Sequence, residues 1–371
     1  MAISDGPLVT IEALPAGHGD ALWVDVHGDP PWRLLIDGGT PGTAVRVKRR
    51  INARLDDRPF DLFVVTHIDI DHIGGAVKLL RAHRQGLAFG DIWFNGPEHL
   101  DPASALNRGA RQGEELAALL TGRAASEQLP WNVAFGGAAV MTGSDGEYLR
   151  HKAAPGVEII LLSPPPENLA RLRPAWDKEM AALRSRQSND DTDRRAGTRR
   201  GTGRSVPDRG LSFREIASMA TDDDTAVANG SSIAFLLRVE RDGRRRSVLL
   251  AGDAHPAALG AALWQLAQDE GSHRVAVDVF KLPHHCSQAN VTEALLNVVD
   301  ADHYLVSTNG AYFGHPDPAA LERIATRATE RTHIWFNYDK PSTRWFRDRC
   351  AELGVEIHVP STPDAGAVIT L

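Results

Sequence analysis

The stretch THIDIDHIGG, residues 66–75, follows the apolar run Leu62, Phe63, Val64, Val65 and places His67, Asp69, Asp71 and His72 within six positions. The apolar run predicts a buried strand, and the spacing of apolar residues in IGGAVKLLRAHR predicts a helix after it. Neutral imidazoles and carboxylates bind divalent metals, and four of them in one turn can converge only where the backbone bends sharply, as it does at a strand end. An exposed turn without a ligand readily carries one histidine. It does not account for four such groups followed by Gly74 and Gly75.

A metal centre needs more donors than one turn supplies. Two other predicted strands end in suitable groups: SVLLAGD in Asp253 and VFKLPHHCS in His284 and His285. Each signal is weak alone, because Gly-Asp turns are common and paired histidines can simply pack. Three strand ends with ligand chemistry in one chain make a stronger case.

The chain has 371 residues, 42% of them hydrophobic, enough for a sizeable core. A formal charge of -7 excludes nucleic-acid binding by overall basicity, so a polyanion would have to meet a local patch. Cys286 and Cys350 form no CxxC pattern, which argues against a disulfide framework or a zinc ribbon and suits a reducing cytosol. No basic-then-apolar leader opens the sequence and no run of about 20 apolar residues occurs, so a cytoplasmic protein without a membrane segment is expected.

Along the chain, residues 8–37 predict three strands of a meander. A helix over 41–55, a strand at DLFVVT, the helix after the turn, a strand at DIWFNG, a helix around Glu114 to Leu120 and a hairpin ending at 157–166 come next. Between about 169 and 226 the composition turns polar, with nine arginines from Arg184 to Arg214, and predicts an inserted flexible loop: a solvated linker, or a tether for a phosphate backbone or a protein partner. A hairpin turning at Asp242 and Gly243 should follow, then a helix at 256–268 and the strand VAVDVFKL. A helix at 292–299, the strand HYLVS, a helix at 318–329 and strands near 333–337 and 355–359 complete the expectation. Two halves of mixed strands and helices sharing one interior suggest an α+β fold arranged as a four-layer αββα sandwich, one domain over residues 1–371.

HxDxDHIGG, GD and PHH resemble the metal-binding motifs of the metallo-β-lactamase fold superfamily, in particular the branch with the hydrolase domain of ComEC-type competence proteins. PAGHGDALWVDV, RLLIDGG, ANGSSI and STNGAYFGHPDP resemble that branch too, with His18 where a Gln is more usual. The resemblance implies two divalent ions, Zn or Mn. His67 and Asp69 would hold the first and Asp71, His72 and His285 the second, with Asp253 bridging. It prefers His285 over His284 because the ligand commonly precedes a Gly, a slot filled here by Cys286. The further histidine of many members has no equivalent at His83, His99 or His151, and Asn229 and Ser232 match the branch there as substrate contacts. Asp20, Asp37 and His284 would stand behind the ligands and orient them. For Asp20 and Asp37 the alternative is a simple turn-forming role.

Two close divalent ions sharing a hydroxide suit in-line displacement at phosphorus, with Asp71 and Asp253 near the nucleophile, His315 as leaving-group donor or phosphate contact, and Ser307 and Asn309 near the substrate. His315 capping a turn before Pro316 is the bland alternative. The expectation is therefore a phosphodiesterase acting on DNA or RNA. The alternatives are a small-molecule phosphodiesterase for a cyclic nucleotide or phosphocholine ester, and a partner-regulated effector. A β-lactam substrate is not expected, since Asp69 replaces the usual second histidine.

Overall fold

A computed structural model describes residues 6–54, 58–81, 87–100, 116–119, 129–176, 178 and 222–371. The meander forms as expected: β1 (Val9–Ala13), β2 (Leu22–Val26) and β3 (Trp32–Ile36) pair antiparallel. After α1 (Ala44–Arg54), β4 (Phe60–Val64) joins β3 in parallel, and β5 (Phe89–Trp93) follows α2 (Ile70–Arg81). The last strand, β14 (Ala367–Thr370), returns to pair with β1, giving the order β14-β1-β2-β3-β4-β5.

The second sheet has eight strands: β6 (Leu149–Ala154), β7 (Val157–Ser163), β8 (Ala234–Arg241), β9 (Arg244–Leu250), β10 (Val275–Lys281), β11 (Val299–Val306), β12 (His333–Phe336) and β13 (Glu356–His358). From β6 to β9 the neighbours are antiparallel, and from β9 to β13 they are parallel. The β8–β9 hairpin turns at Asp242 and Gly243, whose φ values of 53° and 73° match the left-handed pair a tight hairpin needs.

Strands buried on both faces read as continuous apolar runs, and β3 is buried at all five positions. One set of side chains, including Val24, Leu34 and Val64 from the first sheet and Phe235, Val248 and Val279 from the second, fills the space between the sheets. Val47 and Ile51 of α1 and Val77 and Leu80 of α2 cover the outer face of the first sheet. The helices α3 (Pro256–Asp269), α4 (Pro318–Ala325) and α5 (Pro341–Cys350) cover the second, through residues such as Leu263, Ile324 and Phe346. The result is helix, sheet, sheet, helix: the expected four layers.

Several boundaries differ from expectation. Helix α2 begins at Ile70, not Ile73, because the Asp69 carbonyl already accepts the His72 and Ile73 amides, so Asp71 and His72 occupy its first turn. The helix expected at 292–299 shrinks to Glu293–Leu296, capped by the Thr292 hydroxyl, and β11 starts at Val299. Residues 166–176, most of them expected in the loop, are helical and bury Leu172 and Trp176 against the first sheet's core. The arginine-rich part of that insertion lies outside the described residues, as does most of the helix expected around Glu114. Helix α5 and strand β14 were not anticipated. No helix among the described residues is long and apolar enough to cross a membrane.

Candidate metal centre

Strands β3, β4, β9, β10 and β11 all direct their C-terminal ends to one edge of the sandwich, the edge at which parallel strands generally present ligand groups. Two glycine pairs let the loops there interlock. A Cβ on Gly75 would stand 1.8 Å from the Gly38 carbonyl oxygen, and in its absence the Gly75 amide donates to Gly39 while Gly38 donates to His72. The GG of IDGG and the GG of HIGG thus seat α2 against the end of β3.

The strand ends bring the predicted donors together around Asp253. Its Oδ2 lies 3.4 Å from His72 Nε2, 3.8 Å from both His67 Nε2 and His285 Nε2, and 3.9 Å from His284 Nε2. His285 Nε2 is also 3.3 Å from Asp71 Oδ2, and His67 Nε2 is 3.7 Å from Asp69 Oδ2. Donors about 2.05 Å from a tetrahedral ion stand about 3.3 Å apart, so the spacing is that of a ligand shell. His67, His72, Asp253 and His285 are buried, whereas the side chains of Asp69 and His284 keep 25% and 18% exposure and mark the mouth.

Each imidazole is held from behind. The Asp37 carboxylate accepts from the Thr66 amide and hydroxyl and from His72 Nδ1, all at 2.8 Å. Having given its proton to Asp37, the Thr66 hydroxyl can only accept from His67 Nδ1, at 3.0 Å. His285 Nδ1 donates to the Ser307 carbonyl at 2.9 Å. In the neutral rings these bonds fix the tautomers, so that the Nε2 lone pairs face inward once any proton there has left. In agreement, His67 Nε2, His72 Nε2, His285 Nε2 and Asp253 Oδ1 are buried without a hydrogen-bond partner. Buried polar atoms rarely stay unsatisfied, and here a cation is the partner their chemistry fits.

Charge supports the same conclusion. Asp20, Asp37, Asp71 and Asp253 are buried carboxylates facing one buried ammonium, Lys281, which pairs with Asp20 and donates to the Gly252 carbonyl. Burial would raise the Asp253 carboxyl, but His72, His285 and His284 hold it well below its ordinary range. Burial would lower His285, yet Asp253 and Asp20 push it up to about 10, and His72 is likewise raised against its burial by Asp253 and Asp37. Protons on imidazoles or bound cations must meet the remaining negative charge.

The residues His284, His285 and Cys286 have φ of 46°, 56° and 67°, a left-handed run held by bonds from the His284 amide to Gly252 and from the Asp317 amide to Cys286. This backbone explains a Gly slot at position 286. The Cys286 side chain packs into the core beneath the second sheet. His284 turns its Nδ1 to Asn290, at 3.0 Å, and to Asp224, at 3.5 Å.

The other predicted residues divide. Ser232 accepts from the Asp253 amide at 3.0 Å, and Ser307 bonds Gly19 and Asn337, so both are buried supports and do not face the cleft. Asn229 donates to Asp224, and the Asn309 side chain accepts from the Ala311 amide. Asp20 stands 3.4 Å behind His285 Nδ1. His315 packs beside His284, with ring centroids 5.2 Å apart, and its Nδ1 is 3.2 Å from Asp317. Burial lowers its pKa despite Asp317. At the rim, exposed Tyr312 and Phe313 meet edge to face, Tyr312 stacks on His18, and Phe313 stacks on His315. His151 lies elsewhere, against Trp93, His99 bonds Gly96 and Gly137, and His83 is outside the described residues. Sequence reasoning missed Thr66, Lys281, Asp224 and Asn290. Only Lys281, a lysine ending an apolar strand, carried a readable signal.

A cleft of about 790 Å³, lined by Arg150, Arg238, Arg245 and Glu270 among others, shares no residue with this cluster. Several of its charges pair with one another: Arg150 with Glu158 and Glu270, and Arg238 with Glu270.

The sequence profile of the metallo-β-lactamase superfamily matches residues 33–160, a segment with the His67–His72 turn but without Asp253 or His285. Among curated proteins no sequence match is found. Solved structures align along nearly the whole chain at low identity. The metallo-β-lactamase fold protein YhfI from Bacillus subtilis is 10% identical over 99% of this chain and 100% of its own, with a TM-score of 0.43. Human tRNase Z, short form, is 11% identical over 97% and 98%, with a TM-score of 0.42. A diphosphatase of the PhnP family is 11% identical over 98% of both chains, with a TM-score of 0.39.

Proposed function

We propose that the chain is a metallo-β-lactamase-fold hydrolase that cleaves phosphodiesters, with single-stranded nucleic acid as the leading substrate. The observation that carries this reading is the convergence of four imidazole Nε2 atoms on the Asp253 carboxylate. His67, Asp69, His72, Asp71, His285 and Asp253 would hold two divalent ions, Mn or Zn, with His284 Nε2 beside them, 3.9 Å from Asp253 Oδ2. Bound there, such ions would supply a water of lowered pKa and neutralise charge building at phosphorus.

The chain's own groups do the rest. Asp37, Thr66, Ser307 and the Lys281–Asp20 pair keep the donors aimed before substrate arrives. Burial lowers the His315 pKa, and with the Nδ1 proton turned to Asp317 its Nε2 is an acceptor that would donate to a phosphate oxygen or a leaving group only after taking a second proton, which an approaching phosphodiester favours. Tyr312 and Phe313 offer exposed ring faces beside the mouth, a surface on which unpaired bases stack. The motifs of the ComEC-type branch contribute Asp20, Asp37, Asn229, Ser232 and His315 to the surroundings of one cluster, and this supports placing the chain near that branch.

The formal charge of -7 and the internal pairing of Arg150 and Arg238 favour a second reading, a small nucleotide diester as substrate. Cleavage of end-labelled single-stranded DNA with Mn²⁺, wild type against Asp71→Asn at equal metal loading, separates these readings. Cutting by the wild type, slowed at least about a hundredfold in the variant, supports the nuclease. A wild type that holds its metal, leaves DNA intact and opens a cyclic dinucleotide or mononucleotide supports the second reading.

A further inference from the structure

At the outer edge of the second sheet, parallel pairing sets His303 beside His333 and His333 beside Glu356, with Trp335 beside His358 in the next row. Side chains two apart on a strand share a face, so the register gathers residues distant in sequence onto one patch. His333 Nδ1 lies 3.1 Å from His358 Nε2, Glu356 Oε2 is 3.3 Å from His333 Nδ1, and Glu356 Oε1 is 3.4 Å from His358 Nε2.

We propose that His333, His358 and Glu356 form a second divalent-metal site, separate from the buried cluster, that takes a borderline cation of the Zn²⁺, Ni²⁺ or Cu²⁺ class. The two ring nitrogens stand 3.1 Å apart, with one Glu356 oxygen 3.3 Å from the first and the other 3.4 Å from the second, distances close to the roughly 3.3 Å between donors of a tetrahedral shell. Two imidazoles and a carboxylate leave a fourth position open, and side-chain exposures of 28%, 25% and 62% let an ion enter from solvent. The rings are also preset. Trp335 stacks on His358 with centroids 3.7 Å apart and planes 10° off parallel, and its indole N–H donates to His303 Nδ1 at 3.1 Å. His303 in turn stacks on His333 at 4.8 Å. Packing from the second row therefore orients both ligating rings before an ion arrives. Imidazole-rich donors prefer Zn²⁺ and its neighbours over Mn²⁺, whereas the buried cluster is richer in oxygen.

The test is a Zn²⁺ titration of metal-loaded protein, comparing wild type with His333→Ala/His358→Ala and with Glu356→Gln, a change that keeps the side chain's shape. The wild type should take up one ion more than the double variant, and Glu356→Gln should bind that ion at least about tenfold more weakly. Ni²⁺ should also quench a share of the tryptophan emission that Trp335→Phe lacks. Phosphodiester cleavage should be the same in all of these proteins. Equal Zn²⁺ uptake by the wild type and the double variant, or Ni²⁺ quenching unchanged by Trp335→Phe, would overturn the proposal.

Discussion

In the buried cluster each imidazole is gripped from behind by a different element, His67 by Thr66, His72 by Asp37 and His285 by Ser307. At the sheet edge His333 and His358 rest instead on each other and on Trp335. The residue types are nearly the same, but the investment around them is not. Four buried carboxylates, a buried lysine and a left-handed run at His284 to Cys286 all raise the cost of the first arrangement. The fold tolerates that cost where precise placement matters. The edge cluster arises from strand register and costs little to lose.

The largest effect that could break this contrast concerns Lys281. In Lys281→Met, Asp20 becomes a buried carboxylate without its ammonium, and the expected loss is about 3–5 kcal/mol, read from the denaturant midpoint of metal-free protein. His358→Ala at the partly exposed edge should stay within about 0.5 kcal/mol. Equal losses would remove the distinction.

Next is Asp37→Asn. The amide keeps the size of the side chain but can no longer accept from Thr66 and His72 together as a carboxylate does. Metal affinity at the buried cluster, measured by competition with a chelator, should fall about 10–100-fold. Unchanged affinity would mean that the bracing is incidental.

The smallest effect is one of pH. In the metal-free protein Asp253 and Asp20 push His285 up to about 10, and Asp253 and Asp37 raise His72 as well, so near neutrality both rings hold protons that a bound ion must displace. Metal uptake at pH 7 should release protons into weak buffer. Because the raised imidazoles lose their protons only as pH climbs toward 10, affinity should strengthen by up to about tenfold per pH unit for each displaced proton. At the edge, burial holds His358 below its ordinary value, so that ring contributes no such proton. Uptake without proton release at the buried cluster would contradict the electrostatics described above.

The donors were readable because the chain concentrates them. His67 to His72 share one turn, and Asp253 and His285 each close an apolar strand, so local pattern pointed to a common edge. Their supports were harder to see. Thr66 and Asn290 are ordinary polar residues whose roles come from partners far along the chain, such as Asp37 and His284. Ser307 and Ser232 were picked out, but their burial makes them braces and not substrate contacts. The four layers followed from the alternation of elements, whereas α5 was hidden because PSTRWFRDRC mixes arginine and aromatics without a clean apolar stripe. Strand β14 has four residues, and only its pairing with β1 identifies it. The edge cluster joins His333 to Glu356 and His358 through parallel register, which no single-strand pattern reveals.

The central claim is that Asp253 organises a buried centre for divalent metal. The most direct measurement is the metal content of purified protein, wild type against Asp253→Ala, with His333→Ala and His358→Ala in both so that only the buried cluster is counted. The expected result is two divalent ions per chain with Asp253 present, at least one ion fewer without it, and phosphodiester cleavage reduced to background. Full metal content and undiminished cleavage in the Asp253→Ala protein would contradict the account.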